Sequence, residues 1–92
     1  MEAARATDPA GELALLMRAR RVLLADPART IELTDEHLHE YPHGAFSEER
    51  EVLAIAALVR TGDKERARAR MQRFASLFPN STHSARIRAL LE

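Results

Sequence analysis

Apolar residues recur along this chain at three- and four-residue spacing, and prolines, glycines and short acids cut the pattern into five stretches. The first opens at Asp8-Pro9, an N-cap followed by a proline at the first helical position, where the missing N–H costs nothing. Leu13, Leu16, Ala19 and Leu23 mark one face, with Leu15 and Val22 beside them, and Asp26-Pro27 repeats the start signal. A helix is therefore predicted from Pro9 to about Ala25. A second runs from Pro27 to Tyr41, with Thr30, Ile31, Thr34, Leu38 and Tyr41 on one side and Glu32, Asp35, Glu36 and Glu40 over much of the rest. Pro42 ends it, because the residue before a proline is pushed out of the α region.

Ser47 reads as the cap of a third helix, with Glu48 and Glu49 placed where the positive end of the helix dipole favours acids. Its centre, Val52 to Val59, is apolar on every side, so it is expected either between other helices or against a partner. Gly62-Asp63 is a terminator followed by a cap. The fourth helix carries Ala67, Met71, Phe74 and Phe78 as its core stripe and Arg66, Arg70 and Arg73 outside, and Pro79 stops it. Ser81 and Thr82 read as the cap of a last short helix holding Ala85, Ile87, Leu90 and Leu91. No stretch alternates as a strand does, and the fold class is all-α. Residues 1–8 carry no large apolar group beyond Met1 and read as a flexible lead-in to a domain spanning 9–92.

The stretches repeat. Superposing Pro42 on Pro79, an offset of 37 residues, aligns Asp26 with Asp63, Tyr41 with Phe78, Thr34 with Met71 and Leu16 with Leu53. Each unit is helix, turn opening with Asp, helix, then an aromatic-Pro stop.

These residues resemble the tetratricopeptide repeat. The second unit, 48–81, has Ala54, Ala57 and Leu58 in its first helix, Gly62-Asp63 at the turn, Ala67 early in the second helix and Pro79 just past its end. It departs from the family pattern at Ile55 and Phe74. The first unit, 11–44, departs further at Arg18, Thr30 and His37, with Ala25 in place of the turn glycine. The resemblance implies antiparallel hairpins stacked as a right-handed α-solenoid of about two and a half repeats, with residues 82–92 as a terminal capping helix. The cadence Glu-Tyr-Pro-His-Gly … Gly-Asp … Phe-Pro-Asn-Ser further looks like short bacterial repeat domains of envelope proteins, including outer-membrane assembly lipoproteins and cell-division coordinators. On that resemblance the address is periplasmic if these residues are an excised domain, and cytoplasmic if the chain is complete.

Composition narrows the function. Ninety-two residues with 14 Lys+Arg against 14 Asp+Glu and no cysteine leave room for one small core and no disulfide framework. No phosphate-binding glycine loop or nucleophile motif is present, so no catalysis and no cofactor are expected. His39-Glu40-Tyr41-Pro42-His43 satisfies H-E-x-x-H formally, but Pro42 breaks the turn that would bring both histidines to one zinc, and no metal site is read there. His37 reads as a packed, hydrogen-bonded side chain.

Charge is unevenly spread: residues 32–40 hold four acids and no Lys or Arg, while 64–73 hold Lys64, Arg66, Arg68, Arg70 and Arg73 against Glu65. Attraction between these two helices would hold register, whereas a DNA-binding regulator using the Arg-rich helix lacks an overall basic charge and stacking aromatics. The family's first helices line a concave groove, and the matching positions are Glu12, Leu15, Ala19, Val22, Leu23, Glu49, Val52, Ala56, Val59 and Arg60. Two readings of them stand: a core covered by the terminal helix and lead-in, or a groove that accepts a partner helix or peptide. The functional expectation is a non-catalytic protein–protein interaction or assembly module, with a homo-oligomeric bundle through the Val52–Val59 helix as a further alternative.

Overall fold

Three of the helices start on an aspartate whose carboxylate accepts a hydrogen bond from the backbone N–H three residues on: Asp8 from Gly11 at 3.0 Å, Asp26 from Arg29 at 3.2 Å and Asp63 from Arg66 at 3.2 Å. The computed structural model describes residues 8–92. Among them are five helices and no strand: α1 (Pro9–Arg21), α2 (Pro27–Glu40), α3 (Ser47–Arg60), α4 (Lys64–Leu77) and α5 (Ser84–Leu91). The lead-in expected over residues 1–8 lies, up to residue 7, outside the described residues.

The other two helices start differently from expectation. Phe46, not Ser47, is the N-cap of α3, and Ser47 lies inside the helix with its hydroxyl donating to the Gly44 carbonyl at 2.8 Å. The α5 N-cap is His83, and the Ser81 hydroxyl accepts from the His83 N–H at 3.0 Å, one turn earlier than a cap would act. Helix α1 also stops short of Ala25, at Arg21. Its end tightens, the Leu23 N–H bonding the Arg20 carbonyl, and residues 22–25 form a turn. This leaves the Ala19 carbonyl for the Thr30 hydroxyl, 2.8 Å away and fully buried, which ties α2 to the end of α1.

The stop after α3 is a Schellman motif. The Asp63 N–H bonds the Leu58 carbonyl at 2.9 Å, the Gly62 N–H bonds Val59 at 3.0 Å, and Gly62 takes φ +85°.

Each helix packs on the next, and α3 also touches α1 and α5. The molecule measures 41 × 31 × 18 Å, and the short dimension accommodates about two helix diameters. Two apolar clusters result. Leu15, Ala19, Leu33 and Tyr41 hold α1 to α2, with Val22 and Leu53 against them. Val52, Ile55, Leu58, Ala67, Phe74 and Ile87 join α3, α4 and α5, with Ile31 and Met71 among the half-buried residues around them. Helix α3 is thus the central one, in contact with all four others, with Leu53, Ala56 and Val59 left half-buried along one face.

Two faces differ from the sequence reading. On α1 the buried positions are Glu12, Leu15, Leu16 and Ala19, while Leu13 is 42% exposed. On α2 they are Thr30, Leu33, Thr34 and His37, followed by Tyr41, while Ile31 and Leu38 are only half-buried. On α1 the polar Glu12 is buried where Leu13 was expected; on α2 Thr30, Thr34 and Tyr41 are buried as expected and His37 packs as read, and Leu33 takes the place of Ile31 and Leu38.

The 37-residue repeat reappears as geometry. Tyr41 and Phe78 end their helices at nearly the same backbone angles, φ −130° and ψ 61° against φ −131° and ψ 64°. The Tyr41 N–H bonds His37 at 2.7 Å and the Phe78 N–H bonds Phe74 at 2.8 Å, and the Gly44 and Ser81 amides bond Tyr41 and Phe78 at 3.0 and 3.1 Å. The rings behave alike too: His37 tilts against Tyr41 at 5.4 Å and Phe74 against Phe78 at 5.2 Å.

Candidate functional site

A groove of about 560 Å³ opens where α3 lies between the end of α1 and α5. Its floor comes from Val52, Leu53, Ala56 and Val59 on α3, which recur at helical spacing along one face, with Leu23 and Leu24 from the turn after α1 and Leu90 from α5. Ala56 sits at the centre of that face, and its small side chain leaves depth that a larger residue would fill. Arg20, Arg60 and Arg86 stand around this floor together with Glu49 and His83. All three arginines are exposed, and among the described residues none pairs with a carboxylate. His83 Nε2 lies 3.9 Å from Glu49 Oε1. The volume falls within the range of ordinary ligand pockets, and the lining combines an apolar base with a few charged groups.

Of the residues expected on such a groove, Leu23, Glu49, Val52, Ala56, Val59 and Arg60 line it. Leu15 and Ala19 do not: both are buried against Leu33 and Tyr41, and Val22 packs half-buried on the same cluster. They lie on the face of α1 that packs on α2, and only the last turn of α1 and the following loop reach the groove. Helix α5 walls the groove through Arg86 and Leu90 instead of closing over it. Arg86, Leu90, Leu53, Arg20, Leu24 and His83 were missed in the sequence. Two of them carried a signal, since Arg86 and Leu90 are Glu49 and Leu53 advanced by one repeat.

Glu12 leaves the groove altogether. Its carboxylate is buried under the α2–α3 connection, where Oε1 accepts from the Phe46 N–H at 2.8 Å and Oε2 from the Ala45 N–H at 3.2 Å. It therefore supplies, from 34 residues away, the cap that Phe46 itself lacks. His37 Nε2 is 3.1 Å from Glu12 Oε1, and Arg50 Nη1 is 3.4 Å from His37 Nδ1. A guanidinium only donates, so Nδ1 accepts and the imidazole is neutral with its proton on Nε2, directed at Glu12. Burial, then the Arg50 charge, holds the His37 pKa below its ordinary 6.5.

The chain of polar contacts continues to the surface. Arg50 Nε donates to Glu51 at 2.7 Å, Arg70 donates to both Glu51 oxygens at 2.7 and 3.2 Å, and Arg70 Nη1 reaches Asp35 at 3.3 Å. Burial would raise the Glu51 carboxyl, but hydrogen bonds and charge from Arg70 and Arg50 overcome it and hold the pKa below its usual value. Arg70, expected on the outside of α4, is turned inward and only 13% exposed in its side chain. Arg66 pairs with Asp63 at 3.6 Å, so the Arg-rich face is narrower than the sequence suggested. Among the described residues every buried side-chain nitrogen and oxygen has a hydrogen-bond partner.

The formal zinc string is divided by the fold. Helix α2 ends at Glu40, and His39 and His43 are both exposed on either side of Pro42. Among the described residues no group of three or more His, Cys, Asp or Glu could hold a metal ion, and no helix is long and apolar enough to cross a membrane.

Compared with protein-family models, curated proteins and solved structures, the chain finds no match in any of the three.

Proposed function

We propose that this chain is a non-catalytic protein–protein interaction module, built of tetratricopeptide-like helical hairpins, that binds a helix or peptide of a partner in the groove over α3. The observation that carries the reading is the groove itself: an apolar floor on one face of α3, walled by the end of α1 and by α5. The contacts of α3 with both α1 and α5 support a solenoid-like arrangement in which first helices share one side, and so does the recurrence of the turn geometry at Tyr41 and Phe78. An apolar floor with charged edges suits capture of an amphipathic segment, whose apolar side chains enter while its polar ones remain at the rim.

Selection of random peptides displayed on phage tests this. Binders are selected on the wild-type protein and screened against Ala56→Arg, a substitution on the half-buried floor outside both core clusters. Circular dichroism first verifies that the variant keeps its helices. The expected outcome is a population of peptides whose binding is abolished by Ala56→Arg; peptides that bind both proteins equally would place any interaction elsewhere.

A further inference from the structure

The charge around the groove narrows what enters it. The chain as a whole is neutral, with 14 Lys+Arg and 14 Asp+Glu. Among the described residues Arg29 pairs with Glu32, Arg50 and Arg70 with Glu51, and Arg66 with Asp63, while Arg18, Arg21, Arg68, Arg73 and Arg88 are exposed without a carboxylate partner. What sets the groove apart is that its unpaired arginines converge on an apolar floor. Arg20, Arg60 and Arg86 come from three different helices and surround one apolar floor, and none pairs with a carboxylate among the described residues. Among the described residues their only acidic neighbour in the lining is Glu49, which His83 approaches at 3.9 Å.

Three unpaired guanidiniums beside apolar side chains form a surface for a ligand that brings both carboxylates and apolar groups. A purely anionic ligand would leave the floor in water, and a purely apolar one would leave the arginines without partners. We infer that the occupant is an acidic amphipathic segment of another protein, with aliphatic or aromatic side chains on Val52, Ala56 and Val59 and with Asp or Glu side chains meeting Arg20, Arg60 and Arg86. This rests on the groove being the binding site and adds the chemistry of the partner. Guanidinium forks favour carboxylates through paired N–H donors, and opposite rim charges speed encounter and reject basic competitors.

Three labelled sixteen-residue peptides test it, identical in a leucine stripe at helical spacing and carrying Glu, Gln or Lys at every other position. A fourth carries the same number of Glu with the leucines replaced by Ser. Fluorescence anisotropy is read with wild type, Ala56→Arg and the triple variant Arg20→Ala/Arg60→Ala/Arg86→Ala. The Glu peptide is expected to bind about tenfold tighter than its Gln twin at low salt, about 1.4 kcal/mol spread over three rim contacts. The Lys twin is expected to bind weakest. Added salt and the triple variant should both erase the Glu advantage while leaving the Gln peptide unchanged. Equal binding of the Glu, Gln and Lys peptides, all blocked by Ala56→Arg, would overturn the acidic partner and keep the groove. Equal binding of the leucine-free acidic peptide would reduce the site to an anion patch and overturn it as well. Binding that ignores Ala56→Arg for every peptide would remove the groove reading, and the inference with it.

Discussion

Glu12 and His37 meet at 3.1 Å, on α1 and α2, with both side chains almost wholly out of water. The same carboxylate holds the Ala45 and Phe46 amides at the start of α3, so one residue joins three helices. Removing it takes the acceptor from two part-buried backbone donors and from a buried imidazole N–H. Glu12→Ala is expected to cost about 1.5–3 kcal/mol or more, the range for losing hydrogen bonds to a charged group and leaving their donors unsatisfied. Glu49→Ala, one repeat later and exposed, should stay within about 0.5 kcal/mol. Urea unfolding of the two variants checks the contrast.

Acid should destabilise the fold through His37. Because burial and Arg50 lower its folded pKa below 6.5, the unfolded chain binds more protons than the folded one as pH falls through 6.5 towards the folded value. Stability is therefore retained above that window and lost within it. Glu51, also lowered from 4.5, adds a second loss at more acid pH. Unfolding midpoints of wild type should decline from pH 7 to pH 5, whereas His37→Gln should start lower and stay nearly flat across the same range.

Gly44 and Gly62 are both needed, for different reasons. Gly62 has φ +85° and nothing within 4 Å of where a Cβ would stand, so Gly62→Ala meets only the backbone penalty of the left-handed region, about 1 kcal/mol. A Cβ on Gly44 would run into the Glu12 carboxylate, which three donors pin in place. Gly44→Ala is expected to cost more than Gly62→Ala in wild type and to lose most of its cost in a Glu12→Ala background. A double-mutant cycle by chemical denaturation reads that coupling.

Arg70 and Arg73 lie on one helix and should behave oppositely. Arg70 donates twice to Glu51 and once to Asp35, while Arg73 is exposed. Arg70→Ala is expected to lower stability by about 1.5–3 kcal/mol, as for a hydrogen bond to a charged group, and Arg73→Ala by less than about 0.5 kcal/mol. Thermal melts followed by circular dichroism distinguish them.

The helices themselves were legible because their punctuation is chemical and local: Asp8, Asp26 and Asp63 cap, Pro42 and Pro79 stop, and Gly62 turns. The central α3 was legible from its apolar circumference. The polar interior was legible only in part. His37 alone reads as a packed, hydrogen-bonded side chain, and it is one; Glu12 and Arg50, its partners, lie far from it in sequence and each alone has the pattern of a surface residue. His37 stands where the second unit has Phe74, and Arg50 where the last helix has Ile87. The same structural position is filled by a hydrogen-bonded imidazole in one junction and by a phenyl ring packed with Ile87 in the other. Half of the groove was legible on α3 for the same reason that α3 was, while Leu15 and Ala19 pack on α2 instead, because apolar spacing marks a buried face without saying which neighbour it meets.

The matched stops at Tyr41 and Phe78 give the chain two joints that open on the same backbone geometry. A segment that begins after one and ends at the other enters and leaves with the same backbone angles and the same amide partners. Residues 42–78 are therefore a cassette in the physical sense. A gene carrying it twice in tandem would repeat a stop whose angles already recur, and would still have to fill each junction with either the polar or the apolar set. Length in such a chain is then limited by the filling of the junctions and not by the backbone of the stop.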